Sequence, residues 1–244
     1  MREPCRITAG ILRALEPLIT PGISTEDINT LVHQMTLEQG GVPAPLNYKG
    51  FPKSVCTSVN DIVCHGVPSS YVVLKDGDII NVDVTTIKNG FHGDASAMYF
   101  VGGPDACSAE ARTLVETTRQ ALAAGLSVIR PGARVGDIGA AIQEFVAQSG
   151  HEYGIVREYT GHGIGREFHE APQVLHIGRA GTGERLQAGM TFTVEPMINA
   201  GGWKTVLSKV DGWTVRTADG SLSAQWEHTI LVTPEGYEIL TAVA

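Results

Sequence analysis

The stretch from Gly77 to Ser96 places two carboxylates, Asp83 and Asp94, where a pair of strands should run. β-Branched apolar runs flank Asn89-Gly90, a dipeptide that strongly marks a two-residue turn. Alternation along the first run sets Asn81, Asp83 and Thr85 on one face, with Ile80, Val82 and Val84 on the other. If Asn89-Gly90 is the whole turn, Thr85 lies opposite Asp94 and Asp83 opposite Ser96. The two aspartates are then diagonal neighbours on one face, about 7–8 Å apart at Cα. Aspartate is a poor strand former, and like charges repel at that range. An exposed polar edge would account for a single aspartate. A cation between them accounts for both.

The arrangement recurs. Gly189-Met190-Thr191-Phe192-Thr193-Val194-Glu195 repeats the glycine, the valine and the terminal carboxylate of Gly77-Asp78-Ile79-Ile80-Asn81-Val82-Asp83. After a glycine-rich excursion over 199–224, Gln225-Trp226-Glu227-His228-Thr229-Ile230-Leu231-Val232 supplies a strand whose Glu227 takes the part of Asp94. Four strand carboxylates facing one axis are not tolerable bare, because each pair costs several kcal/mol at low effective dielectric. Two divalent cations would neutralise them. Gly161-His162-Gly163-Ile164-Gly165 adds a histidine on a glycine-rich backbone, with no counterpart in the first half. Oxygen-rich ligation with one nitrogen suits Mn²⁺, Fe²⁺, Co²⁺ or Zn²⁺ without choosing among them. Two such ions clamp a water, lower its pKa and polarise a carbonyl, which is hydrolytic chemistry. His65, in Cys64-His65-Gly66, and His169, in Phe168-His169-Glu170, are the candidate donors to a tetrahedral oxyanion beside such a centre. His33, His92, His151, His176 and His228 have no such context and are read as structural.

Helices must carry these strands. Ile7, Ile11, Leu12, Leu15 and Leu18 predict a helix over 5–19, ended by Thr20-Pro21-Gly22. Ser24 with Asp27 resembles a capping box for a second helix bearing Ile28, Leu31, Val32 and Met35, stopped at Gly40-Gly41. The same grammar returns later: Pro21-Gly22-Ile23-Ser24-Thr25-Glu26-Asp27-Ile28 aligns with Pro131-Gly132-Ala133-Arg134-Val135-Gly136-Asp137-Ile138, and Gly40 with Gly150. Each half reads as helix, helix, then acid-bearing strands. Gly102-Gly103-Pro104 marks the seam, with Ser108 capping the next helix. An α+β domain over 1–244 follows, its halves about 1–103 and 104–244 related by a pseudo-twofold axis on which the polar strand faces meet.

With 43% apolar and 18% charged residues, the chain has the composition of an ordinary soluble globule. A net charge of −8 argues against a nucleic-acid surface or a polybasic membrane contact. No apolar run approaches the roughly 20 residues of a membrane span. Charges at Arg2, Glu3, Arg6, Arg13 and Glu16 exclude a signal-peptide core. The four cysteines lack CxxC or zinc-finger spacing, so free thiols in a reducing, cytoplasmic compartment are expected. Cys64 beside His65 is weak evidence for a nucleophilic pair, which must be adjacent in space.

With these residues assembled, the chain resembles the type I methionine aminopeptidases, of the pita-bread fold. The matching stretches run in order from Tyr48-Lys49-Gly50-Phe51-Pro52-Lys53-Ser54-Val55-Cys56-Thr57-Ser58-Val59-Asn60 through Val63-Cys64-His65-Gly66, Asn81-Val82-Asp83-Val84 and Gly90-Phe91-His92-Gly93-Asp94. They continue through Gly161-His162-Gly163-Ile164-Gly165, Phe168-His169-Glu170, Thr191-Phe192-Thr193-Val194-Glu195-Pro196 and Glu227-His228-Thr229. The resemblance implies removal of the initiator methionine from nascent chains whose second residue is small, with a metal-bridged hydroxide as nucleophile. It implies that Asp83, Asp94, His162, Glu195 and Glu227 bind two metals, Asp94 and Glu227 bridging, while Glu195 also shuttles a proton. His169 would lie near the scissile carbonyl and His65 near the peptide nitrogen. Tyr48, Phe51, Cys56, Phe168 and Trp213 would wall the methionine pocket, Trp213 on the match of Asp211-Gly212-Trp213 alone. Aromatic and sulfur groups suit a thioether. A monomer is expected, with any ribosome contact made by the body of the domain.

Two other readings compete. Prolidases and aminopeptidases P share the five-ligand pattern but usually carry an additional N-terminal domain, for which 244 residues leave no room. A non-catalytic pita-bread binding module should have lost ligands or gained basic patches. This chain keeps all five and is acidic.

Overall fold

The computed structural model describes residues 1–242. Helices α1 (Arg2–Leu15) and α2 (Thr25–Glu38) open the chain, followed by strands β1 (Val42–Pro43), β2 (Cys56–Val59), β3 (Ile62–Cys64), β4 (Ile79–Lys88) and β5 (Phe91–Phe100). Helices α3 (Ala109–Ser127) and α4 (Val135–Gln148) open the second half. There follow β6 (Gly154–Ile155), β7 (Gly161–Gly163), β8 (Glu170–Val174), β9 (Thr191–Val194) and β10 (Met197–Asn199). The last strands are β11 (Thr205–Leu207), β12 (Val215–Thr217), β13 (Ser223–Gln225), β14 (Glu227–Val232) and β15 (Tyr237–Ile239).

The first helix departs from the expected 5–19. Pro4 falls in the first turn, where its missing N–H is harmless, so the helix begins earlier. Glu16 still has helical φ −50° and ψ −52°, but Pro17 has no N–H to continue the helical hydrogen bonding, so the helix ends at Leu15 and leaves Leu18 38% exposed beyond it. The second helix is capped as expected. Asp27 N–H donates to Ser24 Oγ at 3.1 Å, and Ser24 N–H donates to the Asp27 carboxylate at 2.9 Å.

A nine-stranded sheet runs β1-β4-β5-β14-β9-β7-β8, with β2 also pairing β4 and β15 also pairing β14. The hairpin register is the expected one: Lys88 pairs Phe91, Thr85 pairs Asp94 and Asp83 pairs Ser96. At the centre, Glu227 on β14 pairs Ser96 on β5. The order β4-β5-β14-β9 therefore sets Asp94 and Glu227 on the inner strands, with Asp83 on one outer strand and Glu195 just past the end of the other. The excursion over 199–224 is more structured than its glycines suggest. It contains β11 and β12, which form a small sheet with β3, and part of β13, which pairs β10 beside β6.

The backbone also repeats between halves. Gly22 and Gly132 both have left-handed φ, at 96° and 90°, as do Gly77 and Gly189 at 91° and 96°. Isolated bridges join Ser24 to Val73 and Arg134 to Arg185 at equivalent places. Asp137 accepts from Arg134 N–H at 2.7 Å, as Asp27 accepts from Ser24 N–H, although Arg134 offers no oxygen to complete the box.

Two apolar layers hold the sheet. Ile7, Ile11, Leu15, Ile28 and Val32 of α1 and α2 pack on Ile80, Val82 and Val84. Leu114, Leu122, Ile138 and Ile142 of α3 and α4 pack on Phe192, Val194, Ile230 and Val232. Slipping β4 by one residue would expose Ile80, Val82 and Val84 and bury Asp83 against the helices. At about 1.5–3 kcal/mol for each large apolar side chain, that forfeits several kcal/mol before any charge is counted. The helices thus hold every carboxylate on the opposite face.

Candidate metal centre

That opposite face lines a cavity of about 310 Å³. Asp83, Asp94, His162, Glu195 and Glu227 all border it, as do His65 and His169. Asp94, His162 and Glu227 each place a ligand atom within 4.8 Å of the others. His162 Nε2 stands 3.6 Å from Asp94 Oδ2 and 3.7 Å from Glu195 Oε1. Asp94 is 3% and Glu227 2% exposed, so water screens neither charge effectively.

The hydrogen bonds around these groups orient them. Thr85, opposite Asp94 in the hairpin, donates its hydroxyl to Asp94 Oδ1 at 2.6 Å. Thr193 donates to Glu195 Oε1 at 2.7 Å and accepts from His162 N–H at 3.0 Å, so one hydroxyl ties β9 to β7. Gln225 Nε2 donates to Glu195 Oε2 at 3.2 Å, and Glu195 N–H donates to His176 Nε2 at 3.1 Å. Gln225 and His176 escaped the sequence reading. Gln225 ends a strand just before Glu227, and nothing local signals its reach to Glu195. His176, read as structural from the sequence, lies past the end of β8 and contacts the backbone of a candidate ligand.

The electrostatics of this floor favour bound protons or a bound cation over four bare charges. Burial pushes Asp83 up to about 7 and Glu195 up to about 8, and burial with neighbouring carboxylates raises Asp94 and Glu227 well above the usual range. The His162 separations alone would fit an imidazolium with two carboxylates, but burial lowers this ring to about 4 and leaves it neutral. Its Nδ1 lies 3.0 Å from the carbonyl oxygen of Gly163, which can only accept, so Nδ1 carries the proton. The bare lone pair of Nε2 then faces carboxylate oxygens. Against ionised carboxylates that lone pair is repulsive, and a proton shared with a carboxyl or a divalent cation between them relieves the repulsion. The donor set fits divalent cations with oxygen and nitrogen preference.

The remaining expected residues fall around this floor. Tyr48, Phe51, Cys56, Phe168 and Trp213 all line the cavity. Phe51 and Trp213 meet edge to face at 5.3 Å, while Tyr48 and Phe168 lie tilted at 49° with centroids 4.8 Å apart. His65 has a left-handed backbone, φ 55°, that a non-glycine residue holds only under constraint. Its ring meets Tyr159 at 5.4 Å, and burial lowers it to about 4. His169 sits at the solvent edge, 4.1 Å between centroids from His162, where desolvation, then His162 and Lys49, hold it down to about 3. Tyr159, Met197 and Lys49 border the cavity too and were not singled out from sequence.

The Cys64–His65 pairing carries no nucleophile. All four cysteines are free and buried, and burial pushes the thiols of Cys56 and Cys64 well up, away from thiolate.

Comparison with known proteins gives the same picture. The profile of metallopeptidase family M24 matches residues 1–234. A methionine aminopeptidase of Rickettsia prowazekii (strain Madrid E) is 52% identical over 241 residues, covering 99% of this chain and 91% of that one. One from Escherichia coli (strain K12) is 50% identical over 242 residues, covering 99% and 89%. The crystal structure of methionine aminopeptidase from Rickettsia prowazekii superposes with a TM-score of 0.95 at 51% identity, over 99% of this chain and 95% of that one. The prolidase from Pyrococcus furiosus shares the fold, with a TM-score of 0.76 at 19% identity over 100% of this chain and 63% of its own. With the pita-bread fold shared across these structures, the family profile matched over 1–234 and half of its residues identical to methionine aminopeptidases along nearly its whole length, this chain belongs to metallopeptidase family M24.

Proposed function

We propose that this protein removes the initiator methionine from nascent proteins and peptides with a small second residue. It acts as a monomeric cytoplasmic enzyme on chains leaving the ribosome, and residues 1–244 form one catalytic domain with pseudo-repeat halves about 1–103 and 104–244. The observation that carries this reading is the neutral His162 lone pair facing buried carboxylates at the floor of an aromatic- and sulfur-lined cavity. Four free, buried thiols suit a reducing compartment.

Asp83, Asp94, His162, Glu195 and Glu227 would hold two divalent metals. When bound, such a pair supplies Lewis-acid polarisation and an activated water. Tyr48, Phe51, Cys56, Phe168 and Trp213 enclose the methionine side chain, for which a thioether-tolerant apolar wall is suited. Glu195, ionised when metal is bound, would take a proton from the attacking water and return it to the leaving amine. His169 donates to the scissile carbonyl oxygen, and His65 orients the peptide nitrogen. Both rings are neutral near pH 7, so each offers one N–H and one lone pair.

The test is hydrolysis of Met-Ala-Ser and Met-Pro peptides by chelator-stripped protein restored with Mn²⁺, Fe²⁺, Co²⁺ or Zn²⁺ in turn, with Leu-Ala-Ser as control. Metal-dependent release of methionine alone is expected. Absence of release with every metal would refute the reading in favour of a binding module. Sedimentation of the same sample reads the oligomeric state.

A further inference from the structure

We propose that Tyr48 is a positioning residue for the reaction, beyond its place in the pocket wall. Its hydroxyl donates to Nδ1 of His169 and so holds that ring in the Nε2–H form, the form that can donate to a substrate carbonyl. The inference rests on the role given to His169 above.

The Tyr48 hydroxyl oxygen lies 3.0 Å from His169 Nδ1. The two rings are stacked, 5.3 Å between centroids and 18° between planes, while Phe168 braces them at 4.8 Å from Tyr48 and 4.4 Å from His169. Two χ angles of each partner are thereby restrained. A phenol is more acidic than a neutral imidazole N–H, so the favoured direction runs from hydroxyl to ring nitrogen. Lys49 strengthens that direction: its Nζ sits 5.2 Å from the centroid of the Tyr48 ring, and a cation over the ring draws charge from the hydroxyl. With Nδ1 accepting, Nε2 carries the proton.

The backbone is built to place this ring. Tyr48 stands between Asn47, φ 65°, and Lys49, φ 49°, two non-glycine residues in the left-handed region. The turn is tied by Tyr48 N–H to Pro45 O at 2.9 Å and Asn47 N–H to Phe51 O at 2.8 Å. Such conformations persist only where surrounding structure over-determines them, and they gather at functional sites. A wall alone would not ask for the hydroxyl, since Phe51 serves the same cavity without one.

The experiment compares wild type, Tyr48→Phe, His169→Ala and the double variant in the full chain. In metal-free wild type, ¹⁵N shifts of the His169 ring, assigned by their loss in His169→Ala, should report Nε2–H. Tyr48→Phe should move them toward a mixture. With Mn²⁺ and Met-Ala-Ser, Tyr48→Phe should lower kcat about ten- to a hundredfold, the usual cost of freeing an oriented histidine, with KM little changed. In the His169→Ala background it should add nothing. An Nδ1–H ring in wild type, an unchanged tautomer in Tyr48→Phe, a loss confined to KM, or an equal loss on top of His169→Ala would each overturn the proposal. A slow His169→Ala beside a normal Tyr48→Phe removes the Tyr48 inference alone. Wild-type turnover in His169→Ala removes the His169 assignment and the inference with it.

Discussion

Replacing Asp94 with asparagine should have opposite effects on stability with and without metal. Asparagine keeps an oxygen to accept the Thr85 hydroxyl, now 2.6 Å from Oδ1, and deletes only the charge. Without metal that charge is unfavourable, because the ligand atoms of Asp94 and Glu227 lie within 4.8 Å of each other in the buried floor. Two full charges at that separation repel by about 3.5 kcal/mol at an effective dielectric of 20. Proton uptake relieves part of this, so the variant should gain about 2 kcal/mol in chelator at pH 8.5, or about 4–8 °C in Tm for a chain of this size. With metal the order inverts. Free metal at 1,000 times Kd stabilises the wild type by about 4 kcal/mol. The variant, lacking the central carboxylate, should keep little of that gain and lose turnover. Differential scanning calorimetry of both proteins in EDTA and in Mn²⁺ measures all four states. A chelated variant that melts at or below chelated wild type, or equal stabilisation of both by Mn²⁺, would refute the repulsive-carboxylate account.

The same carboxylates set a pH dependence in the stripped protein. Asp83 and Glu195 titrate near 7 and 8 when folded, against about 4 when unfolded, so the folded state holds protons that the unfolded state has released. Stability should therefore be fullest below pH 4 to 5 from these groups and fall as pH rises through 7 to 8, a slope that saturating metal removes. Urea melts in EDTA at pH 5, 6.5 and 8 check it, and a rise with pH would contradict the assignment. Gly163→Ala should be severely destabilising, because its Cβ would meet the Ala171 carbonyl oxygen at 2.0 Å and force β7 from β8 beside His162. Gly10→Ala is the counterpart: nothing lies within 4 Å of its Cβ in the middle of α1, so it should stabilise by about 0.5–1 kcal/mol. Thermal melts of the two variants should shift in opposite directions.

How much of this was legible in the chain follows from the range of each interaction. The turn at Asn89-Gly90 and the alternation of β4 determined that Thr85 faces Asp94 and that the acids oppose Ile80, Val82 and Val84. Side-chain period and turn geometry are local, and the apolar face forbids a slip. The glycines that align between the halves hold left-handed φ in the fold, a conformation few other residues adopt freely. The four candidate carboxylates stand out by residue type and recurrence, and His162 by its glycine-rich setting. The apolar period of α1 runs on to Leu18, past the point where Pro17 withdraws the N–H that the helix would need.

Packing decided what local rules do not reach. Only the docking of two helical layers brings β5 against β14, which makes Asp94 and Glu227 the inner pair and brings His162 to them. Gln225 on Glu195, and the hydroxyl of Tyr48 on a histidine far along the chain, carry no signature in sequence. Such contacts are chosen by which apolar faces must be covered, and a side chain's own propensity does not record where another half of the molecule will come to rest.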